Sequence, residues 1–138
     1  MAVYTYNPKQ IKIALGTHTV SGYADDSFVT IDPAGDGIQT KYGCDGEVNR
    51  AISTNQSQTI KIALLQNSPT NQYLEAMTEK DVEDGTGYFP IIIKDLMGRE
   101  TYTSDFCFVN KMASKGYGKE TTNREWELTG INGKFNHE

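Results

Sequence analysis

The sequence has 138 residues, of which 37% are hydrophobic, and its formal net charge is −5 at pH 7. This length is enough for one domain with its own core, and the acidic balance disfavours a partner that is held through neutralised phosphates. Cys44 and Cys107 are isolated cysteines, and no stretch is apolar enough for a transmembrane helix, so we expect no zinc site, reduced thiols, no membrane span and synthesis in the cytoplasm.

Alternation of apolar and polar residues predicts strands along most of the chain. The segments with this period are residues 11–15, 27–32, 38–42, 48–52, 59–65, 88–95, 102–109 and 125–129. We expect a turn at 32–37 to join the second and third segments as one hairpin, and a polar turn at 55–58 to join the fourth and fifth as another. Pro90 removes one backbone donor, which indicates a strand start or an edge strand.

One helix is predicted between these strands. Ser68 can cap it, Pro69 suits its first position, and glycines at 85 and 87 end it. Its apolar stripe within residues 71–84 comprises Tyr73, Leu74, Met77 and Val82. A helix with one apolar stripe must lie against a sheet. The predicted fold is therefore mainly β, a β-sandwich or open barrel of seven or eight strands with one flanking α-helix, in a single domain of residues 1–138.

The stretch from 110 to 123 is rich in lysine, glycine, serine and threonine. It predicts a mobile loop of about 14 residues, a length that is usually either functional or disordered. In an assembling protein, such a loop can become ordered against a neighbour.

A metal site has little support in the sequence. Asp32 and Asp36 stand where an EF-hand loop carries carboxylates, with Gly37 at the glycine position. The third position of that loop is Ala34 and the twelfth is Gly43, where a bidentate glutamate is required. We therefore predict a solvated turn and no bound metal.

A catalytic site is also weakly supported. Asp45 and Glu47 suggest a pair of catalytic carboxylates, but we expect both to be exposed in a charged loop near Arg50. His18 is the candidate base, and its neighbours include no nucleophile pattern. The sequence therefore predicts no catalytic residues, no cofactor and no enzyme activity.

The order of these segments resembles the tail tube proteins of contractile-tailed bacteriophages, a family related by fold to the tube proteins of type VI secretion. The features that carry the resemblance are Gly43-Cys44-Asp45-Gly46-Glu47-Val48, the strand at 59–65, Ser68-Pro69-Thr70-Asn71, the segment at 89–95 and Trp126. The resemblance implies a virion structural protein that assembles in the host cytoplasm into stacked hexameric rings, with one tube sheet running between subunits. About 24 strands would leave a channel roughly 35–40 Å wide, which admits a DNA duplex.

The resemblance also implies the partners of this chain. They are further copies of itself, the tail sheath, baseplate and tail terminator proteins, and DNA that passes through the channel without specific binding. An acidic wall would repel phosphates, and the residues expected to line the channel or its rim are Asp25, Asp26, Asp32, Asp36, Asp45 and Glu47. The residues expected in loops that stack one ring on another are Asp32, Gly35, Gly37, Lys111, Gly116, Tyr117 and Lys119.

Three alternatives remain open. The first is a monomeric or low-order β-sandwich binding module, in which Trp126 and several tyrosines form an exposed stacking patch beside a pocket. The second is a small β-barrel enzyme, which requires His18 or the acidic pair to be buried in a cleft with a perturbed pKa. The third is a tube protein of a related contractile secretion or injection device.

Overall fold

The structure is a computed structural model that describes residues 3, 11–23, 29–33, 37–52, 57–95, 100–119 and 122–137. Within these ranges it has ten strands and one helix. The strands are β1 (Ile11–Leu15), β2 (His18–Thr19), β3 (Val29–Pro33), β4 (Ile38–Tyr42), β5 (Val48–Ile52), β6 (Gln58–Leu65), β7 (Phe89–Asp95), β8 (Glu100–Lys111), β9 (Asn123–Ile131) and β10 (Lys134–His137), and the helix is α1 (Thr70–Asp84). The predicted class, mainly β with one flanking helix, is confirmed.

Eight of the strands form one antiparallel sheet. Its order is β2-β1-β7-β8-β9-β6-β3, and β10 pairs with β8. The other two strands, β4 and β5, pair only with each other and form a separate hairpin. The described residues thus form one large sheet and one separate two-stranded sheet.

Residues 20–23, which follow β2, bring the two edges of the large sheet together. Thr19 ends β2 beside β1, whereas Tyr23 bridges Leu64 of β6, which lies near the other edge. The Leu65 N–H donates to the Gly22 carbonyl at 2.7 Å. The four steps from Thr19 to Tyr23 span at most about 14 Å. The sheet is therefore rolled into an open barrel.

The inner face of this barrel is the core. Along β1, β6, β7 and β9 buried residues alternate with more exposed ones, as the two-residue period requires. The inward residues with no exposed surface include Ile13, Leu15, Ile60, Ile62, Leu64, Ile91 and Leu128. From the helix, Leu74 joins this core and Tyr73 and Met77 pack against it. Val82 is 84% exposed, so its place in the predicted apolar stripe is wrong.

Polar contacts fix the start of α1 to the barrel. The Ser68 hydroxyl donates to the Ser21 carbonyl and accepts the Thr70 N–H at 3.3 Å. The Trp126 indole Nε1 donates to Asn71 Oδ1 at 2.9 Å, and Asn71 Nδ2 donates to the carbonyl of Leu65 at 3.0 Å. These donors and acceptors are buried or half-buried, so each bond removes the cost of an unsatisfied polar group. At its other end the helix stops at a left-handed glycine, as predicted.

Both predicted hairpin pairings are wrong. Residues 48–52 pair with 38–42 and not with 59–65, and β3 pairs with β6 and not with β4. The turn that closes the real hairpin is Gly43–Glu47, where Gly46 has φ +88° and the Gly43 N–H donates to the Glu47 carbonyl at 2.8 Å. An Asp-Gly turn that tolerates positive φ favours the local hairpin. Residues 55 and 56, the first half of the expected second turn, lie outside the described residues.

Pro90 does not mark an edge strand. It is the second residue of β7, which lies between β1 and β8 in the middle of the sheet. The register of β8 shifts between its partners Cys107 and Ser104, so that two β8 residues stand opposite Pro90. This bulge accommodates the missing backbone donor.

Replacement of Asn71 by alanine tests the contact between helix and barrel. The change leaves the Trp126 N–H and the Leu65 carbonyl without these partners, so we expect a loss of about 1–3 kcal/mol in the free energy of unfolding. Urea denaturation monitored by tryptophan fluorescence measures it. Gln72→Ala, one position along the helix and exposed, is the matched control and should stay within about 0.5 kcal/mol of the parent. Equal stabilities of the two variants would contradict this account.

Candidate assembly surface

The hairpin of β4 and β5 is exposed to solvent along both of its strands. Every residue of both strands is exposed. In its register Ile38 faces Ile52 and Tyr42 faces Val48. These four side chains share one face, because residues two apart along a strand point the same way. Their exposed fractions are 49%, 73%, 75% and 52% in that order. The hairpin therefore presents an apolar face that its own chain leaves uncovered.

The turn of this hairpin carries two of the predicted acidic residues. Asp45 Oδ1 accepts the Glu47 N–H at 3.2 Å, and both side chains are exposed. Asp45 thus stabilises the turn, whereas the Glu47 carboxylate has no cationic partner in the described part of the chain. Their position in an exposed charged loop agrees with the expectation from the sequence.

The barrel has two chemically different ends, which are named here after the residues that begin and end β6. At the Gln58 end, β3 finishes at Pro33 opposite Gln58, and the two connections to the hairpin leave the barrel there. At the Leu65 end, β9 starts at Asn123 opposite Leu65, and the chain continues into α1.

The predicted stacking residues fall at both ends. At the Gln58 end Asp32 is exposed on β3 and Gly37 is exposed just before the hairpin. At the Leu65 end the exposed residues are Lys111, Gly116, Tyr117 and Lys119. Asp25, Asp26, Gly35 and Asp36 lie outside the described residues. The structure thus brings Asp45 and Glu47 together and keeps Asp32 apart from the lysine loop.

The loop after β8 is held against the barrel at several points. Lys115 forms an ion pair with Glu75 of α1, and Ala113 is buried in the core. The Thr122 hydroxyl donates to the Gly116 carbonyl at 2.9 Å, and the Thr122 N–H donates to Gln66 Oε1 at 3.2 Å. The structure therefore shows a docked loop where the sequence predicted a mobile one.

Arg124 is a functional candidate that the sequence analysis missed. It lies on β9 in the inward row with Trp126 and is only 6% exposed. Its guanidinium carbon is 5.6 Å from the centre of the Tyr117 ring. Its Nε is buried and has no hydrogen-bond partner in the part of the chain that the structure describes. Charged residues in strands usually point outward, so only the inward row of Trp126 and Leu128 could have indicated this burial.

A smaller aromatic patch lies on the outside of the barrel. Tyr88 stacks on Phe106 with ring centres 4.5 Å apart, and Phe106 meets Phe108 edge-on at 6.0 Å. Trp126 and Tyr102 are buried, so they cannot contribute to the stacking surface that the binding-module alternative requires. The Tyr102 hydroxyl instead donates to Gln58 Oε1 at 2.9 Å, and burial raises the pKa of Tyr102 to about 12.

The residues proposed for catalysis do not form a cleft. His18 Nε2 is 2.9 Å from the Thr70 hydroxyl, and its ring stacks on Tyr73 at 4.6 Å, which places it in the contact between barrel and helix. Asp45 and Glu47 are exposed on the hairpin. An open groove of about 520 Å³ beside β6 and β9 has Lys61 of β6, Lys111 of β8 and two glutamates of β9 among its lining residues, and its described lining includes no histidine or cysteine.

The described residues include no metal-binding cluster and no membrane-spanning helix. No three or more of the described histidine, cysteine, aspartate and glutamate side chains are grouped to hold a metal ion. In the same ranges, no helix has both the length and the apolar character needed to cross a membrane.

Comparison with known proteins gives one relative in sequence and several in structure. No family model matches the chain. It is 28% identical to the structural protein ORF10 of Pseudomonas phage KPP10, over 96% of this chain and 82% of that protein.

Solved structures with a similar fold include two from an extracellular contractile injection system and one cap of the anti-feeding prophage. A chain of the PVC sheath-tube complex in the extended state superposes with a TM-score of 0.74, 12% identity and coverage of 98% of this chain and 93% of that chain. A chain of the PVC sheath/tube terminator superposes with a TM-score of 0.72, 12% identity and coverage of 99% of both chains. The tube-terminating cap of the anti-feeding prophage superposes with a TM-score of 0.62, 12% identity and coverage of 100% of this chain and 95% of that chain. The chain therefore has the fold of these proteins.

Proposed function

We propose that this chain is a structural subunit of a contractile tail, which assembles as stacked hexameric rings and forms part of the tube through which DNA leaves the virion. The proposal is supported by the relative in a phage and by a fold found in sheath-tube and terminator assemblies. A structural role also agrees with the positions of His18 and the acidic pair, which lie apart and build no cleft.

The observation that carries the proposal is the uncovered hairpin. A two-stranded hairpin alone in water is marginally stable, and stability normally requires further strands or a packed face. The β4–β5 hairpin has neither among the described residues, because its strands bond only to each other and both faces are exposed. A second copy of the chain supplies what is missing in a homo-oligomer, and it also protects the free strand edges from aggregation.

The complete core of the large sheet limits which surfaces can join the subunits of such an assembly. Its core is complete within one chain, since the barrel is rolled and its inner face is buried. The expected sheet between subunits is therefore built from the outer surfaces and the hairpins, while each barrel folds on its own. Sheath, baseplate and terminator proteins would bind to surfaces that the assembled rings leave exposed.

A second candidate function is a tube terminator or cap. Two of the similar solved structures are a sheath/tube terminator and a tube-terminating cap, and the terminator chain matches the fold nearly as well as the chain of the sheath-tube complex does. A tube subunit polymerises through both ends, whereas a terminator stops growth at one ring. Negative-stain microscopy of the purified chain separates them, since long tubes indicate a tube subunit and single rings a terminator.

The hairpin face can be tested with one substitution. Ile52→Ser removes an exposed apolar side chain that assembly would bury, which we expect to raise the critical concentration for rings or tubes by about tenfold or more. Ala51→Ser, on the opposite face of the same strand, is the control and should assemble like the parent. Sedimentation and microscopy measure assembly. If the Ile52→Ser chain assembles at the parent concentration, the hairpin face is not an interface.

The acidic residues give a further expectation for the channel. A wall with excess negative charge repels the phosphates of passing DNA, so we place Asp25, Asp26, Asp32 and Asp36 on the channel or its rim. Their joint replacement by asparagine should leave tails intact and slow DNA ejection, most strongly at low salt, where charges are least screened. If the substitutions leave the ejection kinetics unchanged at every salt concentration, these residues do not line the channel.

A further inference from the structure

Among the described residues, no carboxylate pairs with the buried Arg124 guanidinium. Arg124 is 6% exposed, and its Nε–H has no acceptor within the described ranges. A buried charged group without a partner is strongly unfavourable, whereas the same group with a well-placed carboxylate is stable. The ion pair found in the described part of the chain is Lys115–Glu75, which leaves Arg124 with the Tyr117 ring as its neighbour.

The atom that is unpaired indicates the chemistry of the missing ligand. A carboxylate binds guanidinium through two parallel N–H donors, and one of the two pairs of donors includes Nε. A planar, bidentate anion therefore fits the Nε side of Arg124. The Tyr117 ring lies 5.6 Å from the guanidinium carbon and is 77% exposed.

The hairpin carries a carboxylate that is free to fill this site. Asp45 already accepts a backbone N–H of the turn, but Glu47 has no cationic partner among the described residues. The hairpin also starts at the Gln58 end, whereas Arg124 lies opposite Leu64 at the other end of β6, about 20 Å away along the strand. Glu47 would reach the Arg124 of its own chain only if the hairpin folded back along the barrel. The exposure of both hairpin faces excludes that packing.

We infer that Arg124 of one copy binds the Glu47 carboxylate of the next copy, in a head-to-tail contact between the Leu65 end of one barrel and the hairpin tip of another. This inference rests on the proposed function, because it requires that copies stack. The contact is heterologous, so each copy offers one arginine and one carboxylate and the series continues from copy to copy.

Crosslinking tests the contact directly, since Cys44 is exposed in the hairpin turn beside the proposed ligand. Tyr117→Cys places a second thiol above Arg124, and mild oxidation should then give a ladder of linked chains on a non-reducing gel. Val82→Cys is the control, because that position is 84% exposed on α1 and away from the contact. Cys107 does not interfere, since it is buried and burial raises the pKa of its thiol to about 12.

The charge pair is tested by substitutions that keep the barrel folded. Arg124→Met removes the charge and retains bulk, so we expect an unchanged or higher melting temperature of the monomer, with a critical concentration about tenfold higher or more. Glu47→Gln should have the same effect on assembly. Asp45→Asn changes the net charge equally and keeps the turn acceptor, so it is the matched control and should assemble like the parent. In the Arg124→Met background, Glu47→Gln should add no further loss.

The possible outcomes separate this inference from the proposed function. A parent chain that stays monomeric at all concentrations overturns the proposed function, and the inference with it. Assembly of Tyr117→Cys without a ladder overturns the inference alone. Independent effects of Glu47→Gln and Arg124→Met also overturn it. A less stable monomer with normal assembly in Arg124→Met would show that the counter-charge comes from the same chain, for which Asp25, Asp26 and Glu120 lie outside the described residues.

Discussion

Closure of the large sheet is the constraint on which the rest of the structure depends. The short segment from β2 to Tyr23 joins the two edges, and Ser68 and Asn71 fix the start of α1 to the same place. Once the barrel is closed, its inner face is filled by its own side chains. No room remains for β4 and β5, so the hairpin is left outside with an apolar face in water. Closure of the sheet thus explains both why the barrel core is complete and why the hairpin lacks strand partners.

The two ends of the barrel give the molecule a direction. The hairpin leaves from the Gln58 end, while the lysine loop, Tyr117 and Arg124 lie at the Leu65 end. Surfaces that differ at opposite ends favour head-to-tail contacts, which extend without limit or close into rings. Such polarity suits a tube that is built by adding rings in one direction. It also allows acidic residues at one end to meet a buried cation at the other in a chain whose net charge is −5.

Local patterns in the sequence predicted the strands and the helix. They did not predict which strands pair, because pairing depends on residues far apart in the chain. Alternation at Ile11, Ile13 and Leu15 and the limits of the helix were correct, because a strand period and a capped helix are visible within a few residues. The partners of β6 were wrong, because its inward row fits any strand of the same period, and the neighbour along the chain is only the simplest choice. Exposure of Glu47 was predictable from its charge, whereas burial of Arg124 depends on the loop that folds over it.

Hydrogen exchange of the hairpin amides tests the central claim most directly, since it reports whether the strands gain partners on assembly. The amides of residues 38–52 are expected to exchange quickly in the monomer and to become protected in rings or tubes, while those of β6 and β9 stay protected in both states. Hairpin amides that are as protected in the monomer as in the assembly, or that remain unprotected in the assembly, would contradict the account.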